Sequence, residues 1–155
     1  MVTSASNSDR INRIKQDSEI PKMEDKELTE QIIGCAMKVH STLGPGFLES
    51  VYRKALAHEL RKAGLRVECE RPITVYYDGV AVGDFSADLL VESRVMVELK
   101  ANQSLATANE VQLVNYLTAT RIEIGLLLNF GAERLEIKRK TRTYRPKARP
   151  EDFIL

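Results

Sequence analysis

Apolar residues recur along this chain with two periods, and each period marks a kind of element. From Leu28 they fall at Leu28, Ile32, Cys35, Ala36, Val39 and Leu43, the three- and four-residue spacing of an amphipathic helix. Asp25 suits its N-cap, and Gly44-Pro45 stops it. A second stripe, Leu48, Val51, Tyr52, Ala55, Leu56 and Leu60, predicts a helix starting near Gly46 or Phe47, with Gly64 at its C′ position. The period then drops to two. Leu65, Val67 and Cys69 alternate with Arg66, Glu68 and Glu70, a strand with one wet face that Pro72 is expected to break. Ile73–Tyr77 reads as the next strand, Asp78-Gly79 as a hairpin turn, and Val80–Val91 as a long extended segment bent at Gly83. After a turn around Ser93-Arg94 comes a strand over Val95–Lys100, then a helix over Thr107–Thr120 with Val111, Val114, Leu117 and Thr118 on one side. Ile122–Phe130 is apolar enough for a central strand covered on both faces, and Leu135–Lys138 reads as the last strand. The order ααβββ(β)αββ predicts an α/β sandwich around one mixed sheet.

The chain, at 155 residues, is long enough for one domain with a single core. Residues 1–23 are rich in Ser, Asn and charge and are expected to be a flexible lead-in, 24–140 the domain, and 141–155 a basic tail. A hydrophobic fraction of 43% with 29% charged residues excludes a disordered chain. Lys+Arg 23 against Asp+Glu 22 leaves a net charge of +1, so any polyanion must be held by local patches. The seven Lys and Arg between Lys138 and Arg149 are one such patch. No apolar run approaches the roughly 20 residues of a membrane span, and the N-terminus lacks the apolar core of a secretory signal, which makes the cytoplasm the expected compartment. Cys35 and Cys69 are too few for a zinc site or disulfide scaffold and read as small buried residues. Nothing in the pattern specifies an oligomeric state.

The chemistry gathers on the Val95–Lys100 strand. Side chains alternate across a sheet, so Glu98 and Lys100 share one face. An acid and a base so placed fit two readings, a cross-strand salt bridge and half of a catalytic site. The preceding hairpin bears on the choice. If Glu92, Ser93 and Arg94 form the loop, Val91 faces Val95, Leu90 faces Met96, and Asp88 lands opposite Glu98. Two carboxylates about 5 Å apart repel unless a proton or cation lies between them. Mg²⁺, a hard cation that prefers oxygen, suits such a pair, and a neighbouring lysine can polarise a water. A two-residue turn would put Asp88 on the wrong face.

Gly46-Phe47-Leu48-Glu49-Ser50-Val51-Tyr52 carries the signature of the GxxExxY protein family. The blocks His40–Glu49, Val97–Lys100, Gln112–Leu117 and Gly125–Gly131 also resemble that family, and the similarity runs in order from about Leu28 to Lys140. The family is assigned to the PD-(D/E)xK nuclease-like superfamily, whose active members cut phosphodiester bonds with Mg²⁺ (or Mn²⁺). The resemblance implies a restriction-endonuclease-like α/β sandwich, with Asp88 and Glu98 as metal ligands, Lys100 as the water-activating base, and Glu49 as a helix-borne acid completing the site. It implies for Gln112 and Tyr116 the superfamily's QxxxY element, which supports the site or touches substrate. Two positions depart from the pattern: Ala87 stands where the superfamily name has proline, and Arg121 where a helix-ending glycine is frequent.

Each residue also has a structural reading. Glu49 fits an acid stabilised by the helix dipole, Tyr52 a core or supporting residue, and Gln112 and Tyr116 a helix-face hydrogen bond at i, i+4. His40 can approach the cleft or simply pack. Two classes of function follow: a Mg²⁺-dependent nuclease acting on DNA or RNA, and a non-catalytic nucleic-acid- or protein-binding module on the same fold. The intact Asp88, Glu98 and Lys100 set favours the enzyme. The neutral charge and lack of an evident aromatic stacking platform favour the module.

Overall fold

The computed structural model describes residues 25–142. The expected lead-in and nearly all of the expected tail lie outside these residues. Helices α1 (Asp25–Leu43) and α2 (Glu49–Lys62) precede strands β1 (Val67–Tyr77), β2 (Val80–Val91) and β3 (Val95–Lys100). Helix α3 (Thr107–Thr120) and strands β4 (Ile124–Asn129) and β5 (Glu136–Thr141) follow. The five strands form one sheet in the order β1-β2-β3-β4-β5. Only β3 and β4 run parallel, joined by the α3 crossover; the other neighbours are antiparallel.

The sheet is covered on both sides. Leu89, Val91, Val95, Val97, Leu99, Leu126 and Leu128 pack against Leu28, Ile32, Tyr52, Leu56 and Leu60 of α1 and α2. Met96 and Leu127, on the other face, pack with Leu113, Tyr116 and Leu117 of α3. Alternation along β3 and β4 thus sends successive side chains to two covered sides, which is why neither strand shows a solvent-exposed face. Helix α2 closes in a Schellman motif: Leu65 N–H donates to Leu60 C=O, and Gly64, at φ 84, donates to Arg61 C=O.

Four expectations need correction. Pro72 does not break a strand; β1 runs through it, paired with Ser86. β1 is an edge strand, where an outward position needs no N–H donor. Strand β5 runs over Glu136–Thr141 rather than ending at Lys138, so Arg139, Lys140 and Thr141 continue the sheet. The buried stripe of α3 is Leu113, Tyr116 and Leu117, while Val111 is 54% exposed. The helix carries apolar residues around most of its circumference, which left its phase open. Cys69 is exposed on the uncovered part of β1, and only Cys35 is partly buried.

Other local readings hold. Asp78 and Gly79 both have positive φ, 53 and 74, as a two-residue type I′ hairpin turn requires. A register shift opposite Val75/Tyr76 bends β2 beside Gly83. Arg121 caps α3 in the left-handed region, φ 59, where a glycine would be unstrained. No helix among the described residues is long and apolar enough to cross a membrane.

Candidate active site

Strands β2 and β3 pair Val91 with Val95, Leu90 with Met96 and Leu89 with Val97, the register of a Glu92-Ser93-Arg94 loop. One step further Asp88 faces Glu98, and there the backbone ladder gives way to side chains. Asp88 N–H donates to Glu98 Oε1 at 3.1 Å, and Leu99 N–H donates to Asp88 Oδ2 at 2.8 Å. Each carboxylate therefore caps the other strand's backbone. Alternation also slips here: Ala87 and Leu90 both line the cavity beneath α3, whereas Leu89 packs on the opposite face. Glu70, flanked by the pairs that bracket Asp88, takes φ 51.

Glu98 is 7% exposed. Burial, and next the Asp88 charge, push its carboxyl up to about 8, with Lys100 pulling the other way. Lys100 sits half-buried at the end of β3 and makes no ion pair among the described residues. The salt-bridge reading of the Glu98-Leu99-Lys100 triplet is therefore not what the geometry shows.

Glu49 is the first residue of α2, after a Leu48 N-cap that offers no side-chain hydrogen bond. It is half-buried, and its carboxyl is raised by burial and by Asp88, opposed by Lys100 and Arg53. Glu49 thus lies within electrostatic reach of the β2–β3 pair. Leu48, expected on the buried stripe, is 76% exposed because the helix begins only after it. Tyr52 explains how Glu49 is held. Its ring is sealed and stacks on Phe130 at 4.8 Å, its hydroxyl donates to Gly44 C=O at 2.5 Å, and it accepts Phe47 N–H at 3.1 Å. The tyrosine ties down the loop that presents Glu49.

From the other layer, Tyr116 is 9% exposed, and its hydroxyl is raised by burial and then by Glu98 and Asp88. Gln112, one turn earlier, is exposed. His40 does not join the acids: its Nε2 lies 2.9 Å from Ala132 C=O, and its ring packs near Phe130. It supports the β4–β5 turn instead.

Sequence reasoning assigned no role to Asn129. Its side chain is fully buried, accepts Asn102 N–H at 3.0 Å and Gly131 N–H at 3.1 Å, and donates to Asn102 C=O at 2.9 Å. Beside it a Cβ on Gly131 would meet the Ala101 and Asn102 backbone at 2.4 Å. Together with Phe130 N–H donating to Lys100 C=O at 2.8 Å, these contacts fix the chain directly after Lys100. The signal was an amide ending an otherwise apolar strand, where a buried polar group must find partners.

Among the described residues no group of three or more His, Cys, Asp or Glu is gathered closely enough to cage a metal. A pair suffices for Mg²⁺, which keeps several waters and binds through one or two carboxylates plus substrate phosphates. A buried Glu98 beside a half-buried Asp88, each oriented by a backbone N–H, with ionisation of Glu98 opposed by burial, fits such a cation.

The family model of the PD-(D/E)XK nuclease superfamily matches residues 26–140. No curated protein sequence matches the chain. The crystal structure of SSO0001 superposes at a TM-score of 0.52, covering 92% of this chain and 81% of that one at 13% identity, a likeness of fold.

Proposed function

The chain belongs to the PD-(D/E)XK nuclease superfamily and has its restriction-endonuclease-like fold, and from that premise we propose that it is a Mg²⁺-dependent phosphodiesterase acting on DNA or RNA. The observation that carries this reading is the reciprocal clamp of Asp88 and Glu98 at the parting of β2 and β3. In this reading Asp88 and Glu98 hold the metal, and Glu49 contributes negative charge from α2. The bound ion would supply charge neutralisation at the phosphate and a lowered water pKa. Lys100 would place the attacking water in line with the phosphorus and, having first lost its own proton to become the neutral amine, take the water's proton as the phosphorus–oxygen bond to the leaving group breaks. Asn129 and Tyr52 act only as positioning residues, the first behind Lys100 and the second behind Glu49.

A second reading, a non-catalytic nucleic-acid- or protein-binding module, draws on the lack of a three-ligand cage among the described residues. A cleavage assay on mixed DNA and RNA, single- and double-stranded, in Mg²⁺ or Mn²⁺ separates the two. The enzyme reading expects metal-dependent cleavage that Lys100→Ala abolishes. Absence of cleavage on every substrate, or cleavage indifferent to Lys100→Ala, contradicts it.

A further inference from the structure

Beside the acids the β1–β2 hairpin and α3 form an open groove of about 990 Å³, lined by Val75, Tyr76, Phe85, Val111, Gln112 and Tyr116, among others. Phe85 is braced in its aromatic wall. The Phe85 ring lies 5.4 Å from that of Tyr116 and covers Gly83, where a Cβ would meet the ring at 3.0 Å. Phe85 still leaves 44% of its surface to solvent, and Tyr76 leaves 67%. A ring already packed on one side, as Phe85 is, loses little side-chain freedom when a planar ligand covers its open side. The polar groups of the wall are equally particular. Gln112 and Asn115 are exposed amides, neither of which hydrogen-bonds another described residue. Among the described residues no Lys or Arg lines this groove.

That lining suits a base better than a backbone. Phosphates are held by cations, whereas base faces are held by aromatic stacking and base edges by amides. Paired bases inside a duplex offer no free face, so the ligand must be unpaired. Tyr116 joins the two regions: its ring meets Phe85 and its hydroxyl senses Glu98 and Asp88. We infer that this groove stacks unpaired nucleobases of a single-stranded nucleic acid on Phe85 and Tyr76, with Gln112 and Asn115 at the base edges, next to the phosphate handled by the acids. The inference rests on the proposed phosphodiester chemistry for its orientation, and its test is independent of cleavage.

The test uses the full chain and fluorescence anisotropy in millimolar Ca²⁺, with gels showing that the probes stay intact. The probes are a fluorescein-labelled 20-mer of oligothymidylate, an abasic 20-mer of the same backbone, and a 20-base-pair duplex. Wild type should prefer oligothymidylate to the abasic strand by about tenfold or more, the scale of one stacked base. Phe85→Ala and Tyr76→Ala should each remove most of that preference, and Phe85→Trp should restore it while Phe85→Leu should not. Both alanine variants change exposed side chains, and circular dichroism will report any loss of fold. Equal affinity of wild type for thymidylate and abasic strands, or no binding to either, overturns the inference. Base-dependent binding without cleavage of any substrate would retire the enzyme reading and leave this one standing. Cleavage with base-independent binding would do the reverse.

Discussion

Against α1 and α2 the sheet turns Leu89, Val91, Val95, Val97, Leu99, Leu126 and Leu128, none of them measurably exposed. Against α3 it turns Met96 and Leu127, and then, toward the ends of β2 and β3, Asp88, Glu98 and Lys100. The first face is a continuous apolar core; the second is a short core that opens into carboxylates and a groove. The sealed face supplies the rigidity that lets the open face hold two acids in contact. Their mutual repulsion is a cost that folding must meet from burial elsewhere.

Substitutions should expose this division. The largest effect is expected from Leu126→Ala, which removes a fully buried side chain from the sealed face and should lower stability by about 3 kcal/mol. Phe85→Ala on the open side should change stability by only about 0.5 kcal/mol, as exposed residues do. Urea titrations of the two variants give the contrast, and equal losses would deny that the faces differ.

Tyr52→Phe comes next. It leaves Gly44 C=O and Phe47 N–H without their shared partner, a loss of about 1–2 kcal/mol. If Glu49 matters through its placement, cleavage should fall as well, and Glu49→Gln combined with Tyr52→Phe should be no worse than Glu49→Gln alone. Fully additive losses of activity would separate the tyrosine from the acid.

The titration of Glu98 gives a prediction with a fixed sign. Its folded-state carboxyl sits at about 8, above its usual range. Between an ordinary glutamate pKa and about 8 the folded protein thus binds more protons than the unfolded one. Stability contributed by the protonated form is whole at low pH and is lost as pH rises toward 8. In EDTA the melting temperature should therefore fall from pH 6 to pH 8.5, and Glu98→Gln should flatten that slope. A wild-type slope that survives unchanged in the variant would locate the titration elsewhere.

The smallest effect concerns the cap of α3. Arg121 occupies the left-handed region, so Arg121→Gly should stabilise by about 1 kcal/mol or less. A destabilised variant would show that the arginine side chain contributes more than its backbone strain removes.

Much of this arrangement is legible in the residues. The apolar periods locate the helices and strands within a few positions, except that the one long β1 reads as two strands parted at Pro72. A three-residue Glu92–Arg94 loop puts Asp88 opposite Glu98, but the residues leave a two-residue turn open, and the strand register decides between them. The interruption at Asp88 is not legible, since a slip in alternation depends on Glu70 of the neighbouring strand. Neither is the phase of α3, whose outer Val111 serves the groove rather than the core. The aromatic platform escapes for a related reason: Tyr76, Phe85 and Tyr116 are far apart in sequence and meet only through the hairpin and the crossover. The role of Asn129 likewise requires knowing that the β4–β5 turn touches the loop after Lys100.

The central claim is that Asp88 and Glu98 are a metal pair and Lys100 is not a ligand. Isothermal titration of Mn²⁺ into wild type, Glu98→Gln and Lys100→Ala, read beside cleavage rates of the same samples, tests it most directly. The account predicts that Glu98→Gln loses both metal affinity and cleavage. It predicts that Lys100→Ala loses cleavage while keeping or slightly gaining affinity, because one nearby positive charge is removed. Metal affinity lost as badly in Lys100→Ala as in Glu98→Gln, or no Mn²⁺ binding by wild type at all, would contradict it.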